Sequence, residues 1–257
     1  MREPSNSHSV EQRELAYYEK LYAGFAVELF AKPAVVAFRE YLVARILRRT
    51  KVRSSTRVLS IGCGIGDTEL MLAPHVAQVT GIDLSPTAIR EARHAAETKR
   101  AKNARFLEGS WPNPALEGES FDLVLAIFFL HHLPDPALHA FPSQLFPFLK
   151  EGGRFYALEP SAHRLSGFLG RLIVPGLMKK YQTEDERQLL PKRTAAPFLE
   201  AGFAAHTAWF DFCSTPLAGL FPSWAAGYRL ARHLDEALTA CPGLRALSSN
   251  FELIAYR

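Results

Sequence analysis

Val58-Leu-Ser-Ile-Gly-Cys-Gly-Ile-Gly66, followed downstream by Gly81-Ile-Asp83, is the stretch that decides the fold. Val58 to Ile61 form a short apolar run that reads as a buried strand, and Gly62, Gly64 and Gly66 make the turn after it. Asp67-Thr-Glu-Leu-Met-Leu72 then opens a helix, and Val76 to Ile82 read as a second strand with Asp83 at its tip. A strand, a glycine turn, a helix and a strand ending in an acid make a nucleoside-binding βαβ unit. The glycines let the main chain take positive φ and let a ligand come close to it. A carboxylate at the second strand's tip accepts hydrogen bonds from both ribose hydroxyls, so the site is read as holding an adenosine-bearing cofactor.

The spacing narrows the cofactor. A dinucleotide fingerprint, Gly-x-Gly-x-x-Gly, needs its third glycine at position 67, where Asp67 stands. A negative charge there repels a pyrophosphate seated on the helix N-terminus. Gly66 comes one residue early instead. In this order of glycines the chain resembles the class I S-adenosylmethionine (SAM)-dependent methyltransferases, whose first motif runs acid-x-Gly-x-Gly-x-Gly and whose cofactor carries no phosphate. The resemblance continues through Phe121-Asp-Leu-Val124, opening a fourth strand, and Leu130-His-His-Leu133 after it. It covers the region from Arg57 to Gly202.

The resemblance implies an α/β fold, a Rossmann-like three-layer sandwich with a seven-stranded, mostly parallel sheet whose last strand is antiparallel. It also implies SAM as cofactor and S-adenosylhomocysteine (SAH) as product. Ser60, Gly62, Cys63, Gly64 and Gly66 would meet the cofactor from the first strand and turn, and Asp83 and Leu84 from the second. Ser110 and Trp111 lie where the adenine would be held, and Ala126, Ile127 and Phe128 where backbone carbonyls would meet the methionine end. Two departures stand out: the motif's opening acid is Ser60 here, and an acid common near adenine is Ser110. Together they remove two carboxylates from a site expected to bind a cation.

Methyl transfer from a sulfonium is an in-line displacement, so the protein's main task is to align the reactants and exclude water. A base is needed only when the acceptor loses a proton. His131 and His132 at the tip of strand four, and Glu159 at the tip of strand five, are the candidates, with His163 next. A structural role in capping the following loop stands beside the catalytic one for the histidine pair. These residues lack a recognised metal spacing, and no metal is expected.

The bulk composition suits this reading. The chain has 257 residues, 48% hydrophobic and 22% charged, with a net charge of +4. Much of the basic excess lies in Arg45 to Arg53 and Arg93 to Lys102, as solvated helix faces and ends, and no nucleic-acid partner is expected. Cys63, Cys213 and Cys241 are far apart, an odd number suited to a reducing compartment. The first residues have no apolar signal-peptide core, and no segment approaches the ~20 apolar residues that span a bilayer. The expectation is a cytoplasmic protein.

Residues 1–52 are read as an N-terminal helical cover, 53–160 as the cofactor-binding core, 161–192 as a helical cap insertion, and 193–257 as the completion of the sheet. In the cover, residues 1 to 12 read as frayed, Glu14 to Phe30 as one helix, and Pro33 onward as a second with Val35, Phe38, Leu42 and Ile46 on one face. Tyr17, Tyr18 and Tyr22 either pack in the core or reach the cofactor or substrate. The expected activity is methylation of an O, N or C atom of a small, partly hydrophobic organic acceptor. Two alternatives remain: a protein of the same fold that binds SAM or SAH without catalysis, suggested by Ser60 and Ser110, and an NAD-dependent oxidoreductase.

Overall fold

The computed structural model describes residues 5–166 and 187–257. Its centre is a seven-stranded sheet in the order β3-β2-β1-β4-β5-β7-β6. The strands are β1 (Arg57–Ile61), β2 (Gln78–Asp83), β3 (Ala104–Glu108), β4 (Phe121–Ile127), β5 (Leu149–Pro160), β6 (Ala204–Asp211) and β7 (Asn250–Tyr256). β1 pairs in parallel with both β2 and β4, whereas β7 runs antiparallel between β5 and β6. The chain order reverses at β1 and β4, and in open α/β sheets the carboxyl ends at that switch point form the ligand crevice.

The expected βαβ unit is present, with α4 (Asp67–Leu72) joining β1 to β2. After β2, α5 (Pro86–Thr98) starts as the sequence indicates: Ser85 Oγ accepts the Ala88 N–H at 3.0 Å, and Pro86 occupies the first turn. β4 is shorter than the apolar run Phe121 to Leu130 suggests. Phe128 turns to φ +54° and the chain closes into a single turn at Leu130–His132. The cause is a carboxylate from the neighbouring strand: Glu159 Oε1 accepts the amides of Phe129 and Leu130 at 3.0 and 2.7 Å. β5 includes the glycine turn Gly152-Gly153, because its ladder with β4 begins at Phe121↔Leu149 and resumes at Leu123↔Arg154 after an irregularity.

The N-terminal cover comprises α1 (Ser5–Tyr22), α2 (Phe25–Phe30) and α3 (Pro33–Thr50). The one helix expected from Glu14 to Phe30 is therefore broken, at Ala23 and Gly24, and its first half begins earlier than the polar terminus suggests. Once a helix is nucleated, extending it through polar residues costs little, so polarity alone was a poor stop signal. α3 follows the sequence pattern, burying Val35, Phe38, Leu42 and Ile46 against the sheet. Each such side chain contributes about 1.5–3 kcal/mol when removed from water. A buried ion pair fixes the helix further: Arg45 Nε and Nη2 both lie 2.6 Å from the Glu252 carboxylate, which also accepts the Tyr156 hydroxyl at 2.7 Å.

Among the described residues, the remaining helices are α6 (Asp135–Leu145), α7 (Pro191–Glu200), α8 (Ser214–Leu220) and α9 (Ala225–Ala240). The cap expected over 161–192 falls largely outside the described residues, whose two ends meet at a bridge between Ser161 and Leu189. Among the described residues, no helix is long and apolar enough to cross a membrane.

Candidate cofactor and acceptor crevice

A cavity of about 550 Å³ opens over the carboxyl ends of β1, β2 and β4. The glycine turn forms its floor. Gly62 and Cys63 both donate their amides to Ile82 O, at 2.9 and 3.0 Å, which locks the turn onto β2. Gly64 donates its amide to Asp83 Oδ2 at 2.7 Å, and the Ser85 amide donates to Oδ1 at 2.9 Å. Asp83 is thus held by two backbone donors at the wall of the crevice. Burial raises its pKa, and those two amides oppose the rise.

Side chains crowd the turn so closely that glycine is required. A Cβ on Gly62 would stand 2.6 Å from the Phe129 ring, and one on Gly64 2.8 Å from the Tyr22 hydroxyl; both glycines have positive φ. Gly66 serves packing instead: a Cβ there would meet the Phe106 ring at 2.6 Å, on the side away from the cavity. α4 begins with Asp67, which is paired with Arg39 of α3 at 2.8 Å, while Arg39 also donates to Thr68 Oγ1 at 3.1 Å.

Most residues proposed from the sequence meet here. Gly62, Cys63, Gly64, Asp83, Leu84, Ser110, Trp111, Ile127 and Phe128 line the cavity. Trp111 does so while packing against Phe148 and Phe141, with ring centroids 5.0 and 6.0 Å away, so it is both a wall of the cavity and part of the aromatic core. Ser60 and Ala126 are buried in their strands behind the lining.

The three catalytic candidates separate. His132 lines the cavity, with Nε2 3.0 Å from the Tyr18 hydroxyl. His131 is buried behind it, with Nδ1 2.7 Å from Glu159 Oε2. Glu159 is fully buried and spends its other oxygen on the Phe129 and Leu130 amides, so it shapes the β4 tip rather than facing the cavity. His163 is placed just after β5, outside the cavity lining.

Two features escaped the sequence reading. One is the clamp that lays α1 across the mouth: Glu19 accepts hydrogen bonds from the Ser85 hydroxyl and from the amide and hydroxyl of Thr87. Those bonds, together with Arg90, outweigh burial and lower the Glu19 pKa. This carboxylate sits at the N-terminus of α5, where the helix dipole favours it. The clamp brings Tyr18 to His132 and Tyr22 to the glycine turn; burial, with Asp83 and Asp67 beside it, raises the Tyr22 pKa far above its ordinary range. The other is Glu69, on the first turn of α4, whose carboxylate lies behind the glycine turn and accepts the Ser60 hydroxyl at 2.6 Å. An acid three residues into that helix, opposite a serine where an acid is usual, was the available signal.

Residues 58–153 match a family model described as a methyltransferase domain. The uncharacterized methyltransferase YcgJ of Bacillus subtilis (strain 168) is 28% identical over 114 residues, 44% of this chain and 44% of that one, so the match spans under half of the relative's length. The demethylmenaquinone methyltransferase of Geobacillus kaustophilus (strain HTA426) is 26% identical over 216 residues, covering 76% of this chain and 90% of the relative. Among solved structures, magnesium protoporphyrin IX methyltransferase from Synechocystis PCC 6803 with bound SAH superposes with a TM-score of 0.64 at 16% identity. That superposition covers 96% of this chain and 99% of that one.

Proposed function

We propose, from the premise that this chain carries a Rossmann-like methyltransferase domain, that it transfers a methyl group from SAM to an O, N or C atom of a small, partly hydrophobic acceptor. The observation that carries the reading is a single cavity joining two kinds of wall. One is the glycine turn with the backbone-held Asp83; the other is apolar, made by Leu29, Phe30, Val35, Leu133, Phe141 and Ala218. The residues present fit the cofactor. Gly62 and Gly64 line the cavity with bare backbone, Asp83 offers a fixed acceptor for a ribose, and the cavity lining carries carboxylates but no anion-binding glycine at position 67. That last point disfavours a dinucleotide, since Asp67 at the start of α4 opposes a pyrophosphate.

When bound, SAM supplies an electrophilic methyl on a sulfonium. The chain supplies the rest. Asp83 would hold the ribose, Leu84, Ser110 and Trp111 the adenine side, and Ile127 and Phe128 the methionine end. α1 lies over the mouth through Glu19, Tyr18 and Tyr22, so water is kept from the reacting centre. His132, with Tyr18 in hydrogen-bond contact, stands where it can take a proton from an acceptor hydroxyl. His131 and Glu159 fix the loop that carries His132, whose ring centroid is 4.0 Å from that of His131.

Incubation of the protein with methyl-labelled SAM and a metabolite extract tests the proposal, with labelled organic product as the expected result. Thermal-shift titration with SAM, SAH and NAD separates the alternatives. SAM uptake without labelled product from any acceptor class would favour a binding protein, and stabilisation by NAD alone would overturn the reading.

A further inference from the structure

Glu69 is 2% exposed and lines the cavity. One oxygen accepts the Ser60 hydroxyl; the other, Oε2, is buried and accepts no hydrogen bond from another described residue. Its charged neighbours do not cancel it. Asp67 is a like charge on the same helix, Arg39 of α3 is engaged by Asp67 and Thr68, and Cys63 and Asp83 on the turn and β2 add no positive charge. A carboxylate buried without a cation is costly, so such a group either holds a proton or is answered by a ligand that brings the missing charge.

Its place says which part of a ligand that is. Ser60 is the β1 residue two before Gly62, and β1 lies beside β4, with Ile61 paired to Ala126. The unpartnered carboxylate is therefore held beside β1, whereas Asp83 marks the tip of β2, where the sugar would lie. A nucleoside spanning the turn from Asp83 would extend its tail toward Glu69. We propose that Glu69 is the seat of the cofactor's α-ammonium group, a carboxylate supplied from α4 in place of the one that Ser60 lacks on β1. This assignment rests on the SAM reading above and makes Glu69 a binding and positioning residue for the methyl donor. Burial, the largest influence, raises the Glu69 pKa to about 7, against which the Ser60 bond and Arg39 pull downward while Asp67 pushes up. An arriving ammonium favours the ionised form.

Calorimetric titration of the full chain with SAH and with 5′-methylthioadenosine, which lacks the amino-acid portion, tests the assignment. Glu69→Gln keeps the shape of the side chain and should weaken SAH by roughly 10- to 100-fold, as expected for losing a charge-assisted hydrogen bond. 5′-Methylthioadenosine should change by less than about 2-fold. In the double variant Ser60→Asp/Glu69→Ala the carboxylate returns to β1, and SAH affinity should recover most of the loss seen in Glu69→Ala alone. Unchanged SAH affinity in Glu69→Gln, or an equal loss for both ligands, would overturn the assignment while leaving the SAM reading intact. Wild-type protein that takes up neither SAH nor SAM would overturn the SAM reading itself, and this assignment with it.

Discussion

Glu252 and Glu69 are both buried glutamates on the central α/β scaffold, and their surroundings are opposite. Glu252, on β7 beneath α3, is fully enclosed and answered by the Arg45 guanidinium and the Tyr156 hydroxyl. Glu69, on α4 behind the glycine turn, receives one hydroxyl and no cation of its own. Glu159 resembles the first: His131 and two backbone amides account for both its oxygens. A buried charge whose partners come from within the chain holds elements together. One whose partner is missing, at the wall of a cavity, marks where a ligand completes the structure.

The contrast is broken most forcefully by removing the cation from the satisfied site. Arg45→Met leaves Glu252 with only the more exposed Arg49, 3.7 Å away, and should cost about 3 kcal/mol of unfolding free energy. Urea denaturation checks this; a loss below about 1 kcal/mol would show that the pair does not anchor α3. On the crevice side, Asp83→Ala should lower SAH affinity by about 100-fold, the equivalent of two charge-assisted hydrogen bonds of about 1.5 kcal/mol each. Calorimetry on protein shown to be folded by circular dichroism is the measurement, and unchanged affinity would contradict the ribose role.

Acidity sharpens the comparison. The folded-state pKa of Glu69 stands at about 7, above its ordinary 4.5, so the folded chain holds this proton more tightly than the unfolded chain. Stability from this group is therefore full below pH 4.5 and declines as pH rises to about 7, where the folded-state carboxyl also ionises. Glu69→Gln removes that decline. The unliganded variant should gain melting temperature relative to wild type at pH 8 and show a smaller gain at pH 5. Equal differences at both values would mean that Glu69 is not the group responsible. The smallest effect belongs to a half-buried carboxylate near the surface. Glu19→Ala should leave global stability nearly unchanged but accelerate amide exchange in α1 several-fold, as local opening loses its clamp on Ser85 and Thr87. Exchange mass spectrometry over residues 5–22 reads this directly.

The β1-α4-β2 unit was legible because each of its signals is local. An apolar run, alternating glycines and a capping serine before proline act within a few residues of themselves, and the structure follows them at Val58 to Ile61, Gly62 to Gly66 and Ser85-Pro86. The misjudged boundaries depend on distant partners. β4 stops early because Glu159, from the next strand, takes the amides after Phe128. The break at Gly24 divides a run whose apolar spacing alone reads as continuous.

The sequence by itself determined the α/β fold, the glycine turn whose spacing disfavours a phosphate-bearing cofactor, and the carboxylate at the tip of β2. Only the tertiary structure decided which buried acid has a partner. It withdrew Glu159 from the crevice, placed His132 within it beside Tyr18, and set Glu69 against Ser60. The reason is one of range: backbone conformation is encoded by near neighbours, whereas the fate of a buried charge depends on groups that the fold gathers from remote parts of the chain.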